Sequence, residues 1–486
     1  MTELLDGSRA TGGPGIDPRW TRSAKEGIGT ACSDASRLWY TTSAGIVNEV
    51  YFPTIDSPQI RDLQYLVADG AGLFHDERRH TDAVTGPLDG HSLGYRIVNR
   101  EPGGRYRIEK ELFADPDLPC LLLRTRFEPR EDLRDDLRLY VLLAPHLEVG
   151  GRDNSGYAAR VAGRTLLTAH RGGTWLALGA TIPLLRVSCG YVGTTDGWTD
   201  LSEDGRMSLE FDRAEHGNIA LTGELDPAGT RDFTLGLAFG TTLEAAVSTL
   251  LQSLARPADE TRARFVAGWE RACRHIEPLE DAAEDGGDLY RRSHSLLLAH
   301  QDKTYRGAGI ASLSIPWGDH HGDDELGGYH LVWTRDLVNA TTALLASGNA
   351  EIPLRALIYL SAVQRADGGF HQNFWLDGTP YWEAEQLDEA AFPILLAWRL
   401  REQDALGGFD PYPMVLAAAG FLVREGPSTP QERWEENSGY SPSTLASNIA
   451  ALTCAADMAR ERGDGHTAEF LQAFADFLHC HVVPWT

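Results

Sequence analysis

The amino-acid sequence predicts a multidomain β + α fold, with an antiparallel β-sandwich first and helices after it. Three observations predict this. Residues from about 25 to 240 hold short β-branched, aromatic or alternating runs separated by turn signals, with no helical periodicity. Near residue 241 the pattern becomes amphipathic and helical. After about 285 the helices are joined by long, aromatic, glycine-rich loops, and loops of that length in a compact domain are commonly functional.

Taken in order, residues 1–24 are rich in glycine and proline and are expected to be disordered or extended. The sandwich is assigned to 25–240. Its strand signals include Leu38–Thr42, Glu49–Phe52, Leu121–Phe127, Leu137–Leu143 and Trp175–Gly179. Asp69-Gly70, Pro102-Gly103-Gly104 and Arg171-Gly172-Gly173 punctuate them as turns. Residues 241–285 read as a helical linker: Thr242 can cap a first helix, and a second spans about 257–275. From 286 to 486 the pattern gives helices near 287–302, 336–347, 351–365, 388–404, 411–424, 442–462 and 466–481. The intervening loops 304–334, 366–387 and 425–441 hold most of the chemistry-bearing residues. No short internal repeat is present.

Composition narrows the function. The 486 residues carry a net charge of −26, which argues against a nucleic-acid partner because the phosphate backbone repels carboxylates. The acidity suits a soluble protein with a neutral substrate. No run of about 18 apolar residues occurs, so no membrane partner is expected. The N-terminus shows no basic segment followed by an apolar one, so a cytoplasmic location is expected. The cysteines at 32, 120, 189, 273, 454 and 480 form no metal-ligand spacing and read as free thiols in a reducing compartment. No cofactor is called for.

Four runs can carry chemistry. The first is Trp434-Glu435-Glu436. Glycosidic bonds are broken by carboxyl pairs, and a general acid must stay protonated near neutral pH. An apolar ring and a second carboxylate beside Glu435 favour that state. The alternative is a solvated pair before a helix that Ser441 or Ser443 starts. The second run is Trp333-Thr334-Arg335-Asp336, whose last two residues can clamp adjacent sugar hydroxyls, one donating and one accepting. The alternative makes Asp336 a helix cap paired with Arg335. The third run, Gly378 to Glu389, sets Tyr381 and Trp382 among acids and includes Gln386 and Asp388; it reads equally as an acidic solvated turn. The fourth, Trp317 to Glu325, sets His320 and His321 among acids, but its spacing fits no zinc or calcium loop, and Trp317 reads better as a sugar-site wall. His330 and His371 read as structural. No nucleophile elbow, P-loop or zinc-protease motif competes.

The order of these runs carries a further signal. Tyr329-x-x-x-Trp333-Thr334-Arg335-Asp336, then Trp382-x-x-x-Gln386-x-Asp388, then Trp434-Glu435-Glu436-x-x-Gly439 resembles the glucoamylase family of inverting α-glucosidases, glycoside hydrolase family 15. Gly27-Ile28-Gly29-Thr30 and the run Gly45 to Pro53 resemble the N-terminal domain of its bacterial glucoamylases and glucodextranases. The resemblance runs over nearly the whole chain from about residue 25. It implies an exo-acting enzyme that releases glucose from the non-reducing ends of an α-glucan or oligosaccharide. It implies Glu435 as general acid and Glu436 as a sugar-binding carboxylate on the leaving-group side. Arg335 and Asp336 would hold the terminal glucose, Tyr329 and Trp382 would line its subsite, and Trp333 would form the pocket wall. Gln386, Asp388, Trp434 and Trp317 join them as candidate substrate contacts.

The resemblance also implies an (α/α)6 toroid, of which this sequence offers the first half, an incomplete ring. The family's general base lies late in that domain, and no residue here matches it: Gly465 to Thr486 holds only Glu469 and Asp476, both in an ordinary amphipathic helix. The chain alone is therefore expected to be inactive, with a second polypeptide as a possible partner completing the barrel. An inverting glycoside phosphorylase, in which phosphate replaces the base, and a non-catalytic glucan-binding protein are the alternatives.

Overall fold

The computed structural model describes residues 2–226, 231–279, 282–313, 322–323 and 326–486. Trp317, His320 and His321 lie outside them. The chain forms two compact units: 1–274 with 287–299 and 313–328, and 275–286 with 300–312 and 329–486.

The first unit is an antiparallel β-sandwich. Among the described residues it has a ten-stranded and an eight-stranded sheet. In the larger sheet, Cys120–Pro129 pairs with Tyr106–Ala114 on one side and Asp232–Gly240 on the other. The strand period of two decides which side chains meet between the sheets. Along Ile60–Ala68, Leu63, Tyr65 and Val67 enter that core, while Leu66 and Ala68 join a separate apolar cluster. Phe52 stacks on Phe239 inside the main core with ring centroids 5.4 Å apart.

Residues 2–24 lie along this unit, in short extended pieces and turns. Glu3 and Leu4 pair with Arg160 and Ala159, and the Ile16 N–H donates to the Val192 carbonyl at 3.0 Å. The helices Leu243–Ala255 and Ala258–Ala272 also belong here, the first packed on strands Thr174–Ala180 and Asp232–Gly240. Thr242 caps the first: its hydroxyl accepts from the Ala245 N–H at 3.1 Å.

The second unit is built from helical hairpins. Thr334–Ala346, Leu387–Glu402 and Pro442–Glu461 neighbour one another in a row. Each is followed by its own partner: Glu351–Val363, Tyr412–Glu425 and Gly465–Trp485. Leu387–Glu402 is buried on nearly every side and carries Ala390, Ala391 and Ala397, small residues that let neighbouring helices approach. No helix among the described residues is long and apolar enough to cross a membrane.

Candidate active site

The candidate site forms where the starts of the row helices converge. Arg335 and Asp336 lie in the first turn of Thr334–Ala346. Gln386, Asp388 and Glu389 lie at the start of Leu387–Glu402. The loop holding Glu435 leads into Pro442–Glu461.

Arg335 is the hub. Its Nη1 donates to Gln386 Oε1 and to Asp388 Oδ2, both at 2.9 Å, and lies 3.0 Å from Glu389 Oε1 in an ion pair. Its backbone N–H donates to Glu389 Oε2 at 2.7 Å. First-turn N–H groups have no partner inside their own helix; here a carboxylate from another helix supplies one. The cap position falls on Trp333, which makes no side-chain cap bond, and Asp336 sits inside the helix. The capping alternative for Asp336 therefore does not hold. Its carboxyl is half exposed, with its Oδ2 4.0 Å from Arg335 Nε.

Charge in the cluster follows from burial. Burial works against the Arg335 cation, but Glu389 and Asp388 more than offset it and hold the guanidinium above its ordinary value. Glu389 is fully buried, and burial pushes its carboxyl up to about 8, against the pull of Arg335. One guanidinium faces two buried carboxyls, so a proton on Glu389 leaves the trio neutral. The Asp336 carboxyl is also raised, by the protein crowded around it, against the pull of Arg335 and of Arg433. Asp388 Oδ1 is buried without a hydrogen-bond partner among the described residues.

An aromatic wall stands beside the cluster. Residue 332 and the short ribbon Asn373–Phe374 with Pro380–Trp382 form it: Val332 and Phe374 exchange backbone bonds of 2.9 and 3.1 Å, and the Trp382 N–H donates to Asn373 Oδ1 at 3.0 Å. Trp333 meets Tyr329 and Trp382 edge-on, at 6.1 and 6.4 Å between centroids. Trp333 is 4% exposed, while Tyr329 and Trp382 are 51% and 44% exposed. The buried indole thus supports two rings open to a ligand.

The loop 429–439 is closed at its base. Thr429 and Gly439 exchange two backbone bonds of 2.9 Å, and Gln386 Nε2 donates to Gln431 Oε1 at 3.1 Å. Gln431 Nε2 donates in turn to the Glu435 carbonyl at 3.4 Å. Glu435 therefore hangs from the Arg335 cluster through two glutamines. Its φ of 66° lies in the left-handed region, which a non-glycine residue adopts only under local constraint. Glu435, Glu436 and Trp434 are exposed, and Arg433 lies over the Trp434 ring, 5.1 Å from its centroid. No hydrogen bond or ion pair engages either carboxylate among the described residues.

Of the candidates, the structure brings Arg335, Gln386 and Asp388 into direct contact, sets Asp336 beside them and joins Tyr329, Trp333 and Trp382 in one wall. Glu435, Glu436 and Trp434 occupy the adjoining loop. Sequence reasoning missed Glu389 and Gln431. The adjacent acids Asp388-Glu389 were a signal for the first; nothing local marks the second. Among the described residues no group of three histidine, cysteine, aspartate or glutamate side chains could hold a metal ion.

Comparison with known proteins identifies the family. Residues 10–273 match the family described as glucodextranase, domain N, and residues 284–486 match glycosyl hydrolases family 15. The chain belongs to glycosyl hydrolase family 15. It is 39% identical over 467 residues to a glucoamylase of Clostridium sp., an alignment covering 96% of this chain and 65% of that protein. This family 15 chain is also similar to the crystal structure of a bacterial glucoamylase complexed with acarbose: TM-score 0.94, 36% identity, 98% of this chain and 70% of that one. An uncharacterized glycosyl hydrolase of Methanocaldococcus jannaschii is 28% identical over 158 residues, 30% of this chain and 25% of that protein.

Proposed function

We propose that the chain serves the exo-acting, inverting hydrolysis of α-glucans, with the terminal glucose held at Arg335 and Asp336 against the wall of Tyr329 and Trp382. The observation that carries this reading is the Arg335 hub, buried among Gln386, Asp388 and Glu389 beside two open aromatic rings. A guanidinium locked in this way is pre-organised for sugar hydroxyls, and the rings can stack on a pyranose face. The acarbose-bound glucoamylase to which the chain is similar supports the same substrate class.

In this reading the Glu435 carboxyl gives its proton to the glycosidic oxygen as the C1–O bond breaks. Water adds to C1 from the opposite face, and its proton goes to a second carboxylate. In an inverting pair the two carboxyls stand about 6.5–9.5 Å apart. None of the residues assigned above is given that second role, and little turnover is expected of these 486 residues by themselves. Its six free thiols suit a reducing cytoplasm.

Calorimetric titration with acarbose tests the assignment. Arg335→Ala is expected to weaken binding at least about 30-fold, because it leaves two buried carboxyls without their partner. Glu435→Gln keeps the shape and should leave binding within about threefold. Where glucose release from maltooligosaccharides is measurable, Glu435→Gln should lower it about 10²–10⁴-fold. Unchanged acarbose binding in Arg335→Ala would refute the proposed glucose site.

A further inference from the structure

The outer face of the eight-stranded sheet holds a cavity that the proposed chemistry does not use. Strands Ile60–Ala68, Arg138–Pro145 and Ile219–Leu225 lie side by side there. Their odd-numbered residues, Leu63, Tyr65, Val141, Leu143 and Leu221 among them, enter the sandwich core. The alternation of the pleat sends Asp62, Gln64, Leu142 and Ala220 to the other face. There they line a cavity of about 600 Å³, with Leu142 opposite Gln64 in register. Its lining also includes Ile16, Trp20 and Thr21, Arg78 and Arg79, and Trp198 and Thr199 of helix Gly197–Asp204. That volume falls within the range of about 300–1,000 Å³ found for small-molecule sites.

Two features of the lining define what would fit. Among the described residues, Asp62 Oδ1 and Gln64 Oε1 are buried acceptors without a hydrogen-bond partner, in residues 1% and 7% exposed. Buried acceptors of this kind are costly to leave unpaired, and a ligand hydroxyl would pair them. The charges, meanwhile, balance. Four aspartates, at 17, 62, 76 and 196, face four arginines, at 19, 61, 78 and 79. Several of them are already engaged. Asp62 Oδ2 accepts from Arg61 Nε at 3.1 Å, and Asp76 Oδ2 accepts from Trp198 Nε1 at 2.9 Å and lies 3.4 Å from Arg79 Nη1. A net cationic lining would select an anion; this one does not. Trp198 remains partly exposed and adds an aromatic edge.

We propose that this cavity is a second binding site, for a neutral polyhydroxylated ligand of the class of a short glucan segment. Every lining residue belongs to the first compact unit, so the site is built without any of the residues assigned to catalysis. Its existence rests on the cavity; the choice of glucan among polyols rests on the function proposed above.

Hydrogen exchange on the full chain tests it, with maltoheptaose, isomaltotriose and inorganic phosphate as separate millimolar probes. Either sugar is expected to slow exchange over 16–21 and 192–199, and the slowing should survive in Arg335→Ala. Gln64→Leu and Trp198→Ala should each raise the sugar concentration needed about tenfold, the loss of one good contact. Failure at the catalytic site would show instead as unchanged exchange over 329–336 and 386–389. Wild-type chain showing no slowing over 16–21 and 192–199 with either sugar would overturn the proposal, whatever the variants do. So would slowing by phosphate alone, or slowing that both variants retain at unchanged concentration.

Discussion

Glu389 makes the candidate site sensitive to pH through a residue that touches no solvent. Its carboxyl is raised from the ordinary carboxylate value to about 8 by burial. The folded chain therefore binds that proton more tightly than the unfolded one. The associated stability is fully present below about pH 4.5 and is lost as pH rises through about 8, with a slope of at most about 1.4 kcal/mol per pH unit. Glu389→Gln cannot ionise and keeps an acceptor for the Arg335 N–H. Thermal melts from pH 5 to 8 should show wild type losing stability relative to Glu389→Gln. Parallel curves would contradict a proton on Glu389. The same residue shows where sequence reading stops. Arg335 was singled out with Asp336 as a sugar clamp, and Gln386 and Asp388 through the order of a family motif; their meeting at one guanidinium was not foreseen. Glu389 was passed over because an acid beside an acid reads as a solvated turn, and only the fold shows it wholly buried against a guanidinium. Gln431 was illegible for a plainer reason: its partners Gln386 and Glu435 give a lone glutamine no pattern to belong to.

At the level of elements, the helices after residue 241 were read to within a few residues because amphipathic period and capping act locally, whereas the short helices Glu77–His80 and Gly197–Asp204 inside the sandwich were missed. Thr242 is the clearest case, a hydroxyl cap on the helix Leu243–Ala255 that packs on the sandwich. Thr242→Ala should cost about 1 kcal/mol, read as a lower urea midpoint with unchanged m-value. No change in midpoint would mean that sheet packing alone holds the helix end. At the start of Thr334–Ala346 the alternative of a cap at Asp336 fails because the N–H partner is remote. Aspartate is common at helix starts, so Asp336 drew the cap reading, yet a glutamate 54 residues away takes the Arg335 N–H. The wall of rings is likewise an element-level fact. It depends on Val332 bridging to Phe374, a pairing that no single loop announces.

For the molecule as a whole, texture along the chain revealed the sandwich and the hairpins, since strand and helix periods differ throughout. It did not reveal the pinning of Glu3 and Leu4 to Asn154–Val161, because two residues carry no period. Nor did it reveal the cavity on the outer sheet face: Asp62 and Gln64 alternate with apolar residues as any half-exposed strand would. The net charge of −26 acts at this scale too. Gel retardation with duplex DNA at about 50 mM salt should show no shifted band, because the phosphate backbone meets no net positive field. A shifted band would point to a basic surface that composition hides.

The closed base of the 429–439 loop has a practical consequence. Arg433 is exposed at its tip, beside Glu435 and within electrostatic reach of Asp336. Exposed loop tips are where proteases nick folded chains. Trypsin cuts after arginine, so the peptide bond between Arg433 and Trp434 doubles as a reporter. A saccharide lying between Glu435 and Arg335 would cover that bond, and an empty site would leave it open. The Thr429–Gly439 pair would hold the two ends together after the cut, so the nicked molecule would keep its shape while a gel recorded how often the site had been vacant.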